Sequence, residues 1–174
     1  MMNNLVERML RAARLDAQLY EEVEADTQAT GQSMLVVVLS SIAAGIGMKA
    51  YNGVLPVLLT AVFALIAWYV WALMTYWIGT RLLPEPQTQS DVGELLRTTG
   101  FSSAPGIVRI LGAVPGLATP VFLVAFIWML IAMVVAMRQA LDYRGTGRAV
   151  GVCAIGWAIQ VGLLLLFSFF ISID

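Results

Sequence analysis

Long apolar stretches broken by isolated charges set the pattern of this chain. Uncharged runs cover residues 27–48, 50–80, 110–137 and 149–173. A helix needs about 20 residues to cross a hydrocarbon core of about 30 Å, so each run is long enough for one span. Between 98 and 137 the single charge is Arg109, and that stretch has room for two helices separated by the turn-rich GAVPGLATP at 112–120. The pattern predicts spans at 33–51, 56–78, 98–116, 120–137 and 149–173. Pro105, Pro115 and Arg109 interrupt the third, which is expected to be short, tilted and irregular.

Ahead of the spans, residues 1–30 are predicted as an amphipathic helix. Leu5, Val6, Met9, Leu10, Ala13, Ala17 and Tyr20 fall on one face, and Glu7, Arg11, Arg14, Gln18 and Glu21 on the other. Its basic half, Arg8 to Arg14, suits anionic lipid. Its acidic half, with Glu21, Glu22, Glu24 and Asp26, suits water or a partner. No compact apolar h-region precedes the first run, so the first span is expected to act as its own insertion signal. The chain thus divides into a cytoplasmic helix, 1–30, and an all-α membrane domain, 31–174.

Charge orients the domain. Five spans put the N-terminus, the loop 79–97 and the loop 138–148 on one side, together with Arg8, Arg11, Arg14, Arg81, Arg97, Arg138, Arg144 and Arg148. Those are eight of the ten basic residues, the bias that marks a cytoplasmic side. Four spans would send Arg138, Arg144 and Arg148 across, so the N-terminus is expected inside and Asp174 outside. Composition agrees: 60% hydrophobic residues, 12% charged and a mean hydropathy of +0.84 describe a polytopic membrane protein.

Small residues predict where spans pack closely. Ser41 and Gly45 lead towards Lys49, Ser102 and Gly106 lead towards Arg109, and Ala154, Ala158 and Gly162 form a third stripe. The fourth span, bulky all round, is expected to be the most exposed to lipid. In the second, Trp68, Tyr69, Trp71, Tyr76 and Trp77 crowd the half nearer the loop 79–97, as aromatic rings do near headgroups.

Candidate chemistry is sparse. There is no histidine, and Cys153 is alone, so no metal, cofactor or intrachain disulfide is expected. No paired carboxylates or Ser-His-Asp set falls within the spans, and the chain is not expected to be an enzyme. Arg144-Gly145-Thr146-Gly147-Arg148 has arginines and glycines that suit a phosphate, but no Walker pattern surrounds it. Lys49 and Arg109 each end a small-residue stripe and are the candidates for holding an anion or a lipid headgroup. Arg11, Arg14, Arg138, Arg144 and Arg148 are candidates for cytoplasmic lipid or partner contacts.

The loop 79–97 contains the stiff Pro84-Glu85-Pro86, then a helix start at Ser90 or Asp91 with Glu94 placed for a capping box. Glu94-Leu-Leu-Arg97, the Gly100-Phe101 pair and Pro105, with the five-span layout and ALDYRGTGRAV before the last span, resemble the membrane domain of the Yip family, the Ypt/Rab-interacting proteins. The resemblance covers the chain from about Met34 onward. Nothing in 1–31 matches the Asp-Leu-Tyr-Gly-Pro motif of eukaryotic members, so the chain is closer to the prokaryotic relatives. The resemblance implies a non-catalytic scaffold or adaptor in the inner membrane, with anionic lipids and a protein partner, room for a homo-oligomer and no nucleic acid. The alternative from the residues is a small anion- or lipid-binding channel or transporter built on Lys49 and Arg109.

Overall fold

The computed structural model describes residues 2–48 and 53–171, and among these every regular element is helical. A hairpin of α1 (Met2–Ala13) and α2 (Ala17–Ala25) precedes α3 (Ala29–Gly47), α4 (Val54–Trp77), α5 (Val92–Phe101), α6 (Ala118–Ala140) and α7 (Thr146–Ile171). A π turn, Ile78–Leu82, prolongs α4, and a 3₁₀ helix, Ala104–Ala113, follows α5. Among the described residues four helical stretches are long and apolar enough to cross a membrane: Ala29–Gly47, Val54–Leu82, Ala118–Ala140 and Thr146–Leu163. Lys49, Asp174 and the predicted span ends at 51 and 173 lie outside the described residues.

The segment 98–116, expected as an irregular span, is the end of α5 joined to the 3₁₀ helix. Asp91 caps α5: its Oδ1 accepts from the Glu94 N–H at 2.8 Å, and Glu94 Oε2 accepts from the Asp91 N–H at 2.9 Å. Pro105, in the first turn of the 3₁₀ helix, has no N–H to continue the α ladder. With a rise of about 2.0 Å per residue against 1.5 Å in an α-helix, the two elements extend to about 35 Å in all.

They run alongside α3 on small residues. A Cβ at Gly100 would lie 2.5 Å from Ser33 Cβ, one at Gly106 would strike Ser40 Oγ, and one at Gly112 would lie 3.1 Å from the Gly47 carbonyl oxygen. The α3 residues are seven apart and their partners six apart. Seven α-helical residues advance about 10 Å, and the six-residue steps of the arm, with their faster 3₁₀ rise, about 10–12 Å, so the contacts stay close to register. Against this arm the packing stripe of α3 is Ser33, Ser40 and Gly47, while Ser41 and the buried Gly45 line the neighbouring cavity.

Lipid exposure falls differently from the expectation. α4 is the least buried span, hiding only Trp71, Ala72 and Thr75 among its described residues. Within the bulky sequence of α6, Ala125, Ala132, Ala136 and Ala140 are buried, and these alanines let it enter the bundle. On α7 the stripe Ala154, Ala158 and Gly162 faces outward, and a Cβ at Gly162 would meet nothing.

The N-terminal segment is two helices, not one. Leu15 takes a positive φ of 63° and Asp16 caps α2, its side chain accepting from the Gln18 N–H at 3.1 Å. The break rotates the face: Leu5, Met9 and Ala12 turn to the bundle with Leu19, Tyr20 and Val23, while Val6 and Leu10 are exposed. Glu21 accepts from Gln139 at 2.6 Å, and the Ala13 carbonyl accepts from Trp128 Nε1 at 2.7 Å. Eleven residues of α6 separate those two anchors, so the hairpin follows α6 for about 16 Å from its arginine-bearing end.

Candidate functional site

Two places gather polar chemistry: the end of the bundle that carries the arginines, and a cavity within it. At the charged end the connections 78–91 and 141–148 are tied together. Tyr143 donates to the Gly79 and Leu83 carbonyls at 3.1 and 2.9 Å, Gln87 donates to the Asp142 carbonyl at 3.0 Å, and Arg148 pairs with Glu85 at 3.2 Å. Arg148 also donates to the Pro84 carbonyl, and the Arg144 N–H to Glu85 at 3.2 Å. That N–H, with Gln87 and Arg148, holds the Glu85 carboxyl below the usual range, and burial pushes the Tyr143 hydroxyl up to about 12. The phosphate-like loop is thus engaged at Arg148 and at the Arg144 backbone, while the Arg144 side chain, Gly145 and Gly147 stay exposed.

The hairpin joins the same surface. Arg97 is buried, and its Nε donates to the Val23 and Glu24 carbonyls at 3.0 and 2.9 Å; its Nη2 also bonds the Glu24 carbonyl. These are last-turn carbonyls of α2, which lack partners within their own helix and face the negative end of its dipole. Arg11 binds Asp16 at 2.7 Å and Glu22 at 2.6 Å, holding both carboxyls below their usual range. Arg8 reaches Asp26 at 2.8 Å and Gln32 at 2.9 Å. Arg14 and Arg138 are exposed, and Arg138 reaches the Tyr143 carbonyl at 3.4 Å. A cavity of about 460 Å³ opens among Glu21, Glu24, Glu94, Asp142, Arg138 and Arg144. Burial, with Glu94, Asp142 and Glu21 nearby, pushes the Glu24 carboxyl up to about 8 against the pull of Arg97.

The larger cavity, about 790 Å³, lies among α3, α4, the α5–3₁₀ arm, α6 and α7. Arg109 lines it. Its backbone sits beside Gly47, where a glycine Cβ would overlap the Arg109 carbonyl oxygen. Its side chain turns back along α3: Nε donates to the Gly106 carbonyl at 2.9 Å, and Nη2 donates to the Ser40 carbonyl at 3.0 Å and Oγ at 2.8 Å. Ser40 precedes Gly47 by seven residues, about 10 Å deeper along the helix. The guanidinium therefore points into the bundle instead of snorkelling to the near end of the span.

Of the motif positions, Glu94 completes the cap, Gly100 lets the α5–3₁₀ arm touch α3, Phe101 is fully buried against the hairpin, and Pro105 stands where α backbone gives way to 3₁₀. The structure brings Arg144 and Arg148 together with Glu85, while Arg109 stands apart in the cavity. Sequence reading missed the role of Arg97, the Ser33-Ser40-Gly47 stripe and Trp71. The seven-residue spacing of small residues on α3 carried the second signal; Trp71 stood out only as one of the aromatic cluster on the second span, and nothing local marked its burial beside the cavity.

The Yip1 domain profile matches residues 18–168, from α2 through most of α7. No curated protein and no solved structure matches the chain. The match takes in Glu94, Gly100, Phe101 and Pro105, the charged-end connections and all four apolar spanning helices. This chain is a multi-pass membrane protein that belongs to the Yip1 domain family.

Proposed function

We propose that the chain is a non-catalytic scaffold or adaptor that crosses the membrane five times and presents its charged end to a protein partner in the cytoplasm. The observation that carries this reading is that the hairpin and both connections form one surface. Arg97 holds α2, Gln139 holds Glu21, and Glu85, Gln87 and Tyr143 join 78–91 to 141–148. That surface exposes mixed charge, including Arg14, Arg138 and Arg144, suited to a partner and to anionic headgroups. Arg81, Arg97, Arg138, Arg144 and Arg148 lie in or beside the two connections, a basic bias that favours the cytoplasmic side of a prokaryotic inner membrane.

Gentle purification of the wild type and of Arg97→Ala from native membranes tests the proposal. A soluble protein retained by the wild type and released by the variant is the expected result. A protein that purifies bare and carries anion flux in liposomes would overturn the scaffold in favour of a channel.

A further inference from the structure

The cavity beside Arg109 has the features of a ligand site. A guanidinium carries five N–H donors. Arg109 spends Nε on Gly106 and Nη2 on Ser40, and Nη1 has no acceptor among the described residues. No carboxylate among those residues pairs with it. Within a membrane span an arginine without a counter-charge is costly, and turning inward gives up the headgroup oxygens it could have reached.

The walls describe the rest of the ligand. Phe122, Phe126, Met129, Met133, Trp68 and Trp157 stand in a lining that is mostly apolar. The hydroxyls of Ser41, Thr60, Thr99 and Ser102 donate to carbonyls of their own helices and present little polarity to the interior. From Phe122 to Met133 the α6 wall runs about 16 Å. Trp71 lines the same space, and its indole N–H is buried with no acceptor among the described residues. A small inorganic anion would satisfy the charge but leave most of 790 Å³ of apolar cavity unfilled. A neutral hydrocarbon would fill it and leave the charge alone.

We propose that this cavity binds an amphiphilic anion, with its oxyanion head on Arg109 Nη1 and its hydrocarbon chain along the α6 wall. A fatty-acid carboxylate and an anionic phospholipid share this chemistry. The proposal is independent of the scaffold reading, because it concerns the interior of the bundle and not its charged end.

Tryptophan quenching tests it, since three tryptophans line the cavity. The full chain in neutral detergent is titrated with a dibrominated fatty acid, brominated phosphatidylglycerol and brominated phosphatidylcholine. Saturable quenching by the first or second is expected, and whichever binds identifies the source of the anion. Arg109→Leu should weaken it by about tenfold or more, the worth of a charge-assisted hydrogen bond. Ala64→Phe, which fills the cavity without touching the Arg109 bonds, should abolish it. Equal quenching by phosphatidylcholine, no saturable quenching by either anionic probe, competition by inorganic phosphate, or unchanged affinity in folded Arg109→Leu would each overturn the proposal. If Arg109→Leu does not fold, Ala64→Phe decides, and undiminished saturable quenching there overturns it.

Discussion

Gly47 and Gly106 set how closely the α5–3₁₀ arm approaches α3, because each faces backbone or polar atoms where a Cβ would sit. At Gly47 the obstacle is the Arg109 carbonyl, which cannot swing away without breaking the 3₁₀ helix; at Gly106 it is Ser40 Oγ, with Arg109 Nη2 2.7 Å away. Gly47→Ala and Gly106→Ala should each cost about 1–3 kcal/mol through overpacking. Gly162→Ala, which meets nothing, should leave thermal stability in detergent unchanged or slightly raised, and a loss there equal to the other two would refute a local cause. Glu24 offers a test of another kind. Its folded value of about 8 stands above its ordinary 4.5, so the folded state favours the protonated acid. The stability this gives the docked hairpin is fully present below about pH 4.5 and lost as pH rises through about 8. Protease protection of residues 2–25 should therefore fall between pH 5 and 9, and Glu24→Gln should flatten that fall. Glu94, Asp142, Glu21, Arg97, Arg138 and Arg144 face the same space, and an undiminished slope in the variant would move the effect to one of them.

Among the elements, long spans were legible in the sequence because a run without charge needs no partner to declare it. Their faces were not. Burial on α6 depends on alanines scattered among larger residues, and exposure of Ala154, Ala158 and Gly162 depends on which helices are neighbours, which periodicity within one helix cannot say. The hairpin shows the same limit. A single amphipathic helix fits the pattern of 1–30 almost as well as two, and the deciding feature is one residue, Leu15, in a left-handed conformation before the Asp16 cap. For the sites, Arg109 stood out as a charge in an apolar run, whereas Arg97 looked like an ordinary boundary arginine until α2 supplied carbonyls from 73 residues away. Docking of α2 predicts a contrast. In a Cys153→Ala background, Gln18→Cys, on the exposed face, should react with an impermeant maleimide, and Leu19→Cys, fully buried, should not. Arg97→Gln should expose both. Equal labelling of both in the parent background would mean that the hairpin does not stay on the bundle in a membrane.

For the whole molecule, the five crossings proposed above rest on which connections touch. Glu85 pairs with Arg148, and Tyr143 donates to the Leu83 carbonyl, so residues 83–85 and 143–148 belong to the same end. The chain between them must then cross an even number of times. It includes α6, whose 23 residues are apolar up to Arg138, and a single crossing by α6 would put the two connections on opposite sides. In the five-span proposal the α5–3₁₀ arm supplies the other. Its length of about 35 Å suffices because the 3₁₀ portion rises faster per residue, and the Ser33, Ser40 and Gly47 contacts carry it along almost the whole of α3. The proposed arrangement then has five crossings, with the hairpin, tied to Arg97 and Gln139, beginning on the same side as both connections. Reporters inserted at Gln87 and at Gly145, and one fused before α1, should therefore read as cytoplasmic, and one inserted at Gly116, between the 3₁₀ helix and α6, as external. Deleting the 3₁₀ segment 104–113 should leave too little length to cross and send Gly145 to the outside. A cytoplasmic signal at Gly116 in the intact chain would sink the five-span arrangement, whatever the charge bias favours.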